Sequence, residues 1–134
     1  MPGIIDVEGI GPKYAEKLKK LGIKTTEKLL KEGATPTGRK TISEKTGIGH
    51  DLVLQWVNHC DLYRIKGVGS EYSDLLEAAG VDTVVELAKR VPKNLVDAMS
   101  DCNNKHKIVR RLPVLKEVTK WVDQAKKLPR VINY

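Results

Sequence analysis

The chain has 134 residues, and its 24 Lys and Arg against 17 Asp and Glu give a formal net charge of +7. This excess favours nucleic acid over a pocket for an acidic substrate, and the length suits one compact domain or two packed halves. No apolar run approaches the length of a membrane span and no signal peptide is apparent, so we expect a cytoplasmic protein without membrane association.

A glycine-bearing segment occurs twice in the chain, at a shift of 58 positions. Residues 7–31 and 65–89 align without a gap and are identical at eight of 25 positions. The identical pairs are Gly9/Gly67, Gly11/Gly69, Tyr14/Tyr72, Leu18/Leu76, Gly22/Gly80, Thr25/Thr83, Leu29/Leu87 and Lys31/Lys89. This agreement indicates that a structural unit has been duplicated.

Each copy is predicted to form two short helices after a tight turn. Pro12 stands at the natural first position of a helix, where its missing N–H costs nothing. Gly22 and Gly80 are predicted to end these first helices as C′ residues. Thr25 and Thr83 then cap the second helices, and the glutamate three residues after Thr83 has the spacing of a capping box.

The two copies also align beyond the hairpins. Residues 52–57 and 117–122 match through Val, Trp and Val at a shift of 65, so the second copy carries about seven extra residues, which we place within 91–111. Apolar residues recur at helical spacing around Trp56 and Trp121. Both tryptophans are therefore predicted to lie in the core and not to stack on a ligand.

The end of the chain contains two prolines that mark helix boundaries. Pro113 is predicted to open the last helix and Pro129 to close it. No alternating strand-like run is convincing, and low order is expected only in residues 1–4 and 130–134.

Residues 7–30 and 65–87 resemble the helix-hairpin-helix superfamily of nucleic-acid-binding modules, in which a Gly-aliphatic-Gly hairpin contacts the DNA backbone. The whole chain resembles a small family of two-repeat proteins that is catalogued only as a domain of unknown function. The resemblance implies an all-α fold, a duplicated helix-hairpin-helix (SAM-like) bundle of two pseudo-symmetric repeats. We expect a first repeat over residues 1–64 and a second over 65–134, packed as one compact unit.

The hairpin turns are the candidate phosphate-binding sites. Backbone amides of such a turn and of the following helix N-terminus can approach a phosphate oxygen, and Lys13 and Lys17 add charge from the same side. Ser70 offers a hydroxyl where Pro12 offers none. The predicted nucleic-acid-binding residues are Gly9, Ile10, Gly11, Lys13, Lys17, Lys20, Lys24, Gly67, Val68, Gly69 and Ser70. The alternative is that both turns only pack their helices.

The first hairpin is much more basic than the second. Residues 13–31 hold seven lysines against two glutamates, whereas residues 71–89 hold five carboxylates against Lys89, with Lys66 just inside the second turn. Glu8, Glu71 and Asp74 beside the turns depart from what a strong phosphate site prefers. We expect the first hairpin to dominate weak, sequence-independent binding, with about 0.9 units of log-log salt slope for each neutralised phosphate.

A second group of basic residues lies towards the end of the chain. If it meets the first hairpin in space it extends the path of a polyanion, and the alternative is a solvated helix surface. Its members are Lys105, His106, Lys107, Arg110, Arg111, Lys126, Lys127 and Arg130.

Residues 41–57 present a competing pattern, that of a helix-turn-helix. Thr41 has the spacing of a capping box with the glutamate three residues later, Gly47 ends the first helix and the second begins at residue 50 or 51. In that interpretation the second helix offers base-reading side chains to a major groove. These side chains are Gln55, Asn58 and His59.

Catalysis has little support in the sequence. We find no phosphate loop, nucleophile elbow or carboxylate cluster for two-metal chemistry, and we expect no enzyme activity, cofactor, metal or small-molecule substrate. Cys60 and Cys102 lie 42 residues apart without metal-site spacing and are expected to be reduced thiols. A metal site that combines both cysteines with His59 and His106 is disfavoured, because the adjacent residues His59 and Cys60 can scarcely both point inward from one helix.

Two classes of function remain open. The first is a module that binds the backbone of duplex or branched DNA through its hairpins. The second is a protein–protein interaction adaptor that uses the same helical scaffold, with a protein partner on a helix face or on the acidic second hairpin. The concentration of lysines around one hairpin favours the first class.

Overall fold

The computed structural model describes residues 3–7 and 9–134, and these residues form an all-helical fold. The chain divides into two compact units. Unit 1 holds the described residues up to Asp61 together with Arg130–Tyr134, and unit 2 is Leu62–Pro129. The sequence-based division after Arg64 falls three residues later, and residues 130–134, assigned there to the second repeat, belong with unit 1.

Unit 1 opens with a short 3-10 helix, Ile4–Asp6, and continues with four α-helices. These are α1 (Pro12–Lys20), α2 (Thr26–Glu32), α3 (Pro36–Thr46) and α4 (His50–Leu62). A single backbone bridge joins Gly3 to Thr25, and no strand occurs in residues 3–7 and 9–134. The core is apolar and centres on Leu18, Leu29 and Trp56, which are fully buried.

Unit 2 also has four α-helices, and only its second and third differ in length from those of unit 1. Its helices are α5 (Ser70–Ala78), α6 (Val84–Ala88), α7 (Pro92–His106) and α8 (Leu115–Lys127). Leu75, Leu76 and Leu95 form its buried centre with Trp121, as the helical spacing of apolar residues predicted for the tryptophan.

The first helix of each unit has the same length and the same ending. Gly22 and Gly80 follow the C-caps of α1 and α5 with φ of +83° and +93°, which confirms both as C′ residues. The N–H two residues after each C-cap donates to the carbonyl of the helix, from Ile23 to Leu18 at 3.0 Å and from Val81 to Leu76 at 2.8 Å. This is a Schellman ending, in which only glycine accepts the left-handed backbone without strain.

The predicted threonine caps are present. The hydroxyl oxygen of Thr25 accepts the Lys28 N–H at 3.1 Å, and that of Thr83 accepts the Glu86 N–H at 3.4 Å. Only one hydrogen bond of the predicted capping box is as expected, because the Glu86 carboxylate accepts from the Asp82 N–H, at 3.2 Å, and not from the N–H of the cap residue Thr83. The carboxylate thereby stabilises the residue before the cap instead of the cap itself.

The extra residues of unit 2 lie in α7 and in the loop that follows it, within the range expected from the sequence. α7 has 15 residues where α3 has 11, whereas α4 and α8 both have 13. Pro113 does not open α8, because Val114 is its N-cap and binds the Glu117 carboxylate through its N–H at 3.1 Å. Pro129 does follow the end of α8, as predicted.

The last five residues pack against unit 1, so the expectation of low order over 130–134 is wrong. Ile132 is buried, and the Asn133 N–H donates to the Ala34 carbonyl at 2.8 Å. The Arg39 guanidinium donates to the carbonyl of Asn133, also at 2.8 Å. In the other stretch expected to be poorly ordered, Ile4 is buried and residues 1 and 2 lie outside the described residues.

Candidate nucleic-acid interface

Each unit carries a tight turn immediately before its first long helix. In unit 1 the Ile10 N–H donates to the Val7 carbonyl at 2.9 Å, and Gly9 has a φ of +91°. Glu8, which the sequence placed beside this turn as an unfavourable carboxylate, lies outside the described residues. A backbone with this φ at the third turn position favours glycine strongly.

The turn of unit 2 has the same geometry. The Val68 N–H donates to the Ile65 carbonyl at 3.1 Å, and Gly67 has a φ of +98°. The side chain of Gln124 on α8 forms two hydrogen bonds to the backbone of Lys66 within this turn. Its Oε1 accepts the Lys66 N–H at 2.9 Å, and its Nε2 donates to the Lys66 carbonyl at 3.3 Å. These bonds fix the turn before any ligand arrives.

A tryptophan lies beneath each turn. A Cβ on Gly9 would stand 3.0 Å from Nε1 of Trp56, and a Cβ on Gly67 would stand 3.0 Å from Nε1 of Trp121. Each tryptophan also contacts a tyrosine of its own unit, with ring centroids 5.3 Å apart in both cases. The first glycine of each turn is therefore explained by the fold, through its φ and through close packing.

The second glycine of each turn has no such explanation. Gly11 and Gly69 have φ of −87° and −107°, which any residue adopts. Apart from its chain neighbours, no described residue has an atom within 4 Å of a Cβ on either glycine. Gly49, before α4, also has open space, but its counterpart before α8 is Val114. Glycine thus recurs immediately before α1 and α5, where the internal packing does not require it.

The predicted site residues differ in what they can offer to a ligand. The side chains of Ile10 and Val68 are buried anchors, and their N–H groups are used within the turns. Gly11 and Gly69 are the N-caps of α1 and α5 and bring no capping side chain to the first helical amides. The exposed members are Gly9, Gly11, Lys13, Lys20, Lys24 and Gly67, and the half-buried ones are Lys17, Gly69 and Ser70.

Four lysines at the first hairpin form no ion pair within the described residues. No carboxylate of residues 3–7 and 9–134 forms an ion pair with Lys13 or Lys17, and the Lys17 ammonium lies 6.0 Å from the centroid of the Tyr14 ring. Lys20 and Lys24 have no ion pair within the same residues. In contrast, Lys28 binds Glu32 at 2.9 Å. Within the described part of the chain, the four lysines therefore differ from Lys28 in having no carboxylate partner.

Unit 2 draws positive charge from a different helix, which the sequence analysis missed. Lys120 of α8 shares a groove with Lys66 and Gly67 of the second turn. The sequence signal was present, because Lys120 precedes the aligned Trp121, but its closeness to the turn depends on how α8 packs. Counting charges only along residues 71–89 therefore understates the positive charge at the second hairpin.

The second basic group is divided between the units. Arg130 belongs to unit 1 and the other members to unit 2. Arg111 is occupied, since it binds the Glu117 carboxylate at 2.7 Å and the Tyr72 hydroxyl at 3.0 Å. The Arg111 guanidinium, together with the Val114 N–H, keeps the pKa of the Glu117 carboxyl below its usual value, so the pair stays ionised.

The helix-turn-helix interpretation fails at two of the three side chains that would read bases, while Gln55 is half-buried. His59 is fully buried and Asn58 nearly so. Thr41 is not a cap but lies inside α3, where its hydroxyl donates to the Thr37 carbonyl at 3.1 Å, and Thr35 caps the helix instead. Gly47 does end α3 with a φ of +73°, as predicted.

The cysteines and histidines do not assemble a metal site. No group of three or more His, Cys, Asp or Glu side chains able to hold a metal occurs within the described part of the chain. Cys60 and Cys102 are both free thiols. Burial, with a smaller effect of the neighbouring Asp61, raises the pKa of the Cys60 thiol to about 12, so it is a neutral core residue at physiological pH.

These features define an all-α protein with two glycine-containing turns. Each turn is followed by a helix whose N-cap is glycine, and lysines lie near both turns. The chain belongs to the family described as a domain of unknown function, DUF4332, whose model matches residues 8–128. Comparisons with curated proteins and with solved structures give no match. Among the described residues, no helix is both long and apolar enough to cross a membrane.

Proposed function

We propose that the protein is a non-enzymatic, helix-hairpin-helix DNA-binding module that holds duplex or branched DNA by its backbone phosphates, without reading base sequence. The observation that carries this proposal is the recurrence of glycine at positions 11 and 69, where neither φ nor packing requires it. We also propose a cytoplasmic location, in line with the free thiols of Cys60 and Cys102.

Glycine at a helix N-cap leaves the first amides of the helix open. A serine or aspartate in the same place forms a stronger cap, but its side-chain oxygen occupies those N–H groups. With Gly11 the N–H groups at the start of α1 stay free for an external acceptor, and the absence of a Cβ lets a phosphate approach the backbone closely.

The charges around the first turn supply attraction without base specificity. Lys13 and Lys17 lie one helical turn apart on α1 and lack carboxylate partners within the described residues. Flexible ammonium groups and backbone amides suit phosphate oxygens, which carry no sequence information. We therefore expect affinity to fall steeply with salt and to vary little with DNA sequence.

Two matched glycine substitutions test this proposal. Gly11 and Gly49 both lie before a helix with open space at the Cβ position, so alanine at either changes the fold equally little. Fluorescence anisotropy with a labelled 20-base-pair duplex at low salt should show weaker binding for Gly11→Ala and unchanged binding for Gly49→Ala. Equal affinities of the two variants and the parent would show that no phosphate approaches Gly11.

The parent protein decides between the two classes of function. An absence of DNA binding even at low salt would contradict the proposal and leave the protein-interaction adaptor as the better account of the fold. Binding that persists at high salt would contradict the phosphate-contact mechanism, because counterion release makes such contacts salt-sensitive.

A further inference from the structure

A groove of about 370 Å³ lies beside the second turn. One wall comes from the turn itself and the other from consecutive turns of α8. Its lining residues are Lys66, Gly67, Glu117, Lys120, Trp121 and Gln124. The groove thus places two lysines and a glycine backbone around one open space.

The electrostatics of the groove favour an anion. Lys66 and Lys120 form no ion pair within the described residues, although Glu117 attracts Lys120 at longer range. The carboxylate of Glu117 also lines the groove, but Arg111 binds it at 2.7 Å and the Val114 N–H at 3.1 Å. The guanidinium offsets this negative charge, and the two lysines remain in excess.

The indole N–H of Trp121 lies at the groove. Trp121 is only 3% exposed, yet it lines the groove, and its Nε1 stands 3.0 Å from the Cβ position of Gly67. The Trp121 N–H makes no hydrogen bond within residues 3–7 and 9–134. The Trp121 N–H can therefore donate to an anion that occupies the groove.

The backbone around the groove is already held in place. Gln124 bonds both the N–H and the carbonyl of Lys66, at 2.9 and 3.3 Å, and the Val68 N–H closes the turn onto Ile65. The turn therefore needs little reorganisation when an anion binds, which lowers the entropic cost of binding.

We infer that this groove binds a backbone phosphate of duplex DNA, with Lys66 and Lys120 supplying the charge and the Trp121 indole N–H donating to a phosphate oxygen. The inference rests on the proposed function and extends it, because the cations of the second hairpin come from its turn and from α8 and not from the helix that follows the turn. The second hairpin is then a phosphate contact in its own right, despite the carboxylates on α5.

Lysine substitutions test the charge in the groove. In anisotropy titrations from 50 mM to 300 mM salt, Lys120→Gln should weaken binding about tenfold at low salt and flatten the log-log salt slope by about 0.9, with Lys66→Gln similar. Lys93 is an exposed residue of α7, so Lys93→Gln is the matched control and should leave the affinity and the salt slope nearly unchanged. If the parent binds and Lys120→Gln behaves as Lys93→Gln does, the groove is not a phosphate site while the proposed function stands.

The indole donor has its own readout. The chain has two tryptophans, so a ¹⁵N-labelled sample gives two indole N–H signals, which a Trp121→Phe variant assigns. Adding unlabelled duplex DNA should shift the Trp121 signal, because its indole N–H then donates to a phosphate oxygen. An unmoved Trp121 signal at saturating DNA would overturn the donor role, and a parent that binds no DNA would overturn both this inference and the proposed function.

Discussion

The two glycines of the first turn should respond very differently to alanine. At Gly9 the left-handed backbone costs a side chain about 1–2 kcal/mol, and the forced contact with fully buried Trp56 adds about 1–3 kcal/mol. Gly9→Ala should therefore lower the free energy of unfolding by about 2–5 kcal/mol. At Gly11 a loss of up to about 1 kcal/mol at the cap is offset by the lower entropy of the unfolded chain, so the net change should stay within about 1 kcal/mol.

Urea unfolding followed by far-UV circular dichroism measures both free energies, with tryptophan fluorescence as a second probe of the cores. Equal m-values between variants and parent would show that only stability has changed. If Gly11→Ala destabilises the protein as much as Gly9→Ala does, glycine at position 11 is a structural necessity. The inference that it makes room for a phosphate would then lose its basis.

Three further substitutions or measurements test other parts of the account. A thiol reagent should label Cys102 in the native protein and Cys60 only after unfolding, because burial raises the pKa of the Cys60 thiol to about 12. Labelling of both thiols in the native protein would contradict this. Arg39→Ala removes a buried donor to the Asn133 carbonyl, so it should lower the free energy of unfolding in urea by about 2–4 kcal/mol and speed carboxypeptidase digestion of residues 130–134. Unchanged digestion would show that Arg39 does not hold these residues in place. Thr25→Ala should cost about 1 kcal/mol of unfolding free energy and Thr25→Ser much less, and equal losses would argue against the hydroxyl cap.

Local signals in the sequence predicted the helix boundaries of the hairpins well. Pro12 at the first helical position and Gly22 at C′ act through the geometry of a few neighbouring residues, which a sequence shows directly. The burial of Trp56 and Trp121 was also predictable, because helical spacing of apolar residues repeats around both.

Contacts between residues far apart in the chain were not predictable in the same way. The tail packs on unit 1 because Arg39 reaches the Asn133 carbonyl, 94 residues away, and nothing near either residue signals that bond. Lys120 reaches the second turn only through the packing of α8, so a count of charges along the sequence missed it. The burial of His59, which removes the helix-turn-helix interpretation, likewise depends on tertiary packing.

The most direct test of DNA binding by the first hairpin is one anisotropy experiment on three folded proteins across a range of salt concentrations. The parent is compared with Lys13→Glu/Lys17→Glu at the turn and with Lys40→Glu/Lys45→Glu on exposed positions of α3, so both variants change the net charge equally. We predict salt-sensitive binding by the parent, its loss in the Lys13/Lys17 variant and its retention in the α3 variant. Equal loss in both variants would mean that only net charge matters, and no binding by the parent at low salt would contradict DNA binding altogether.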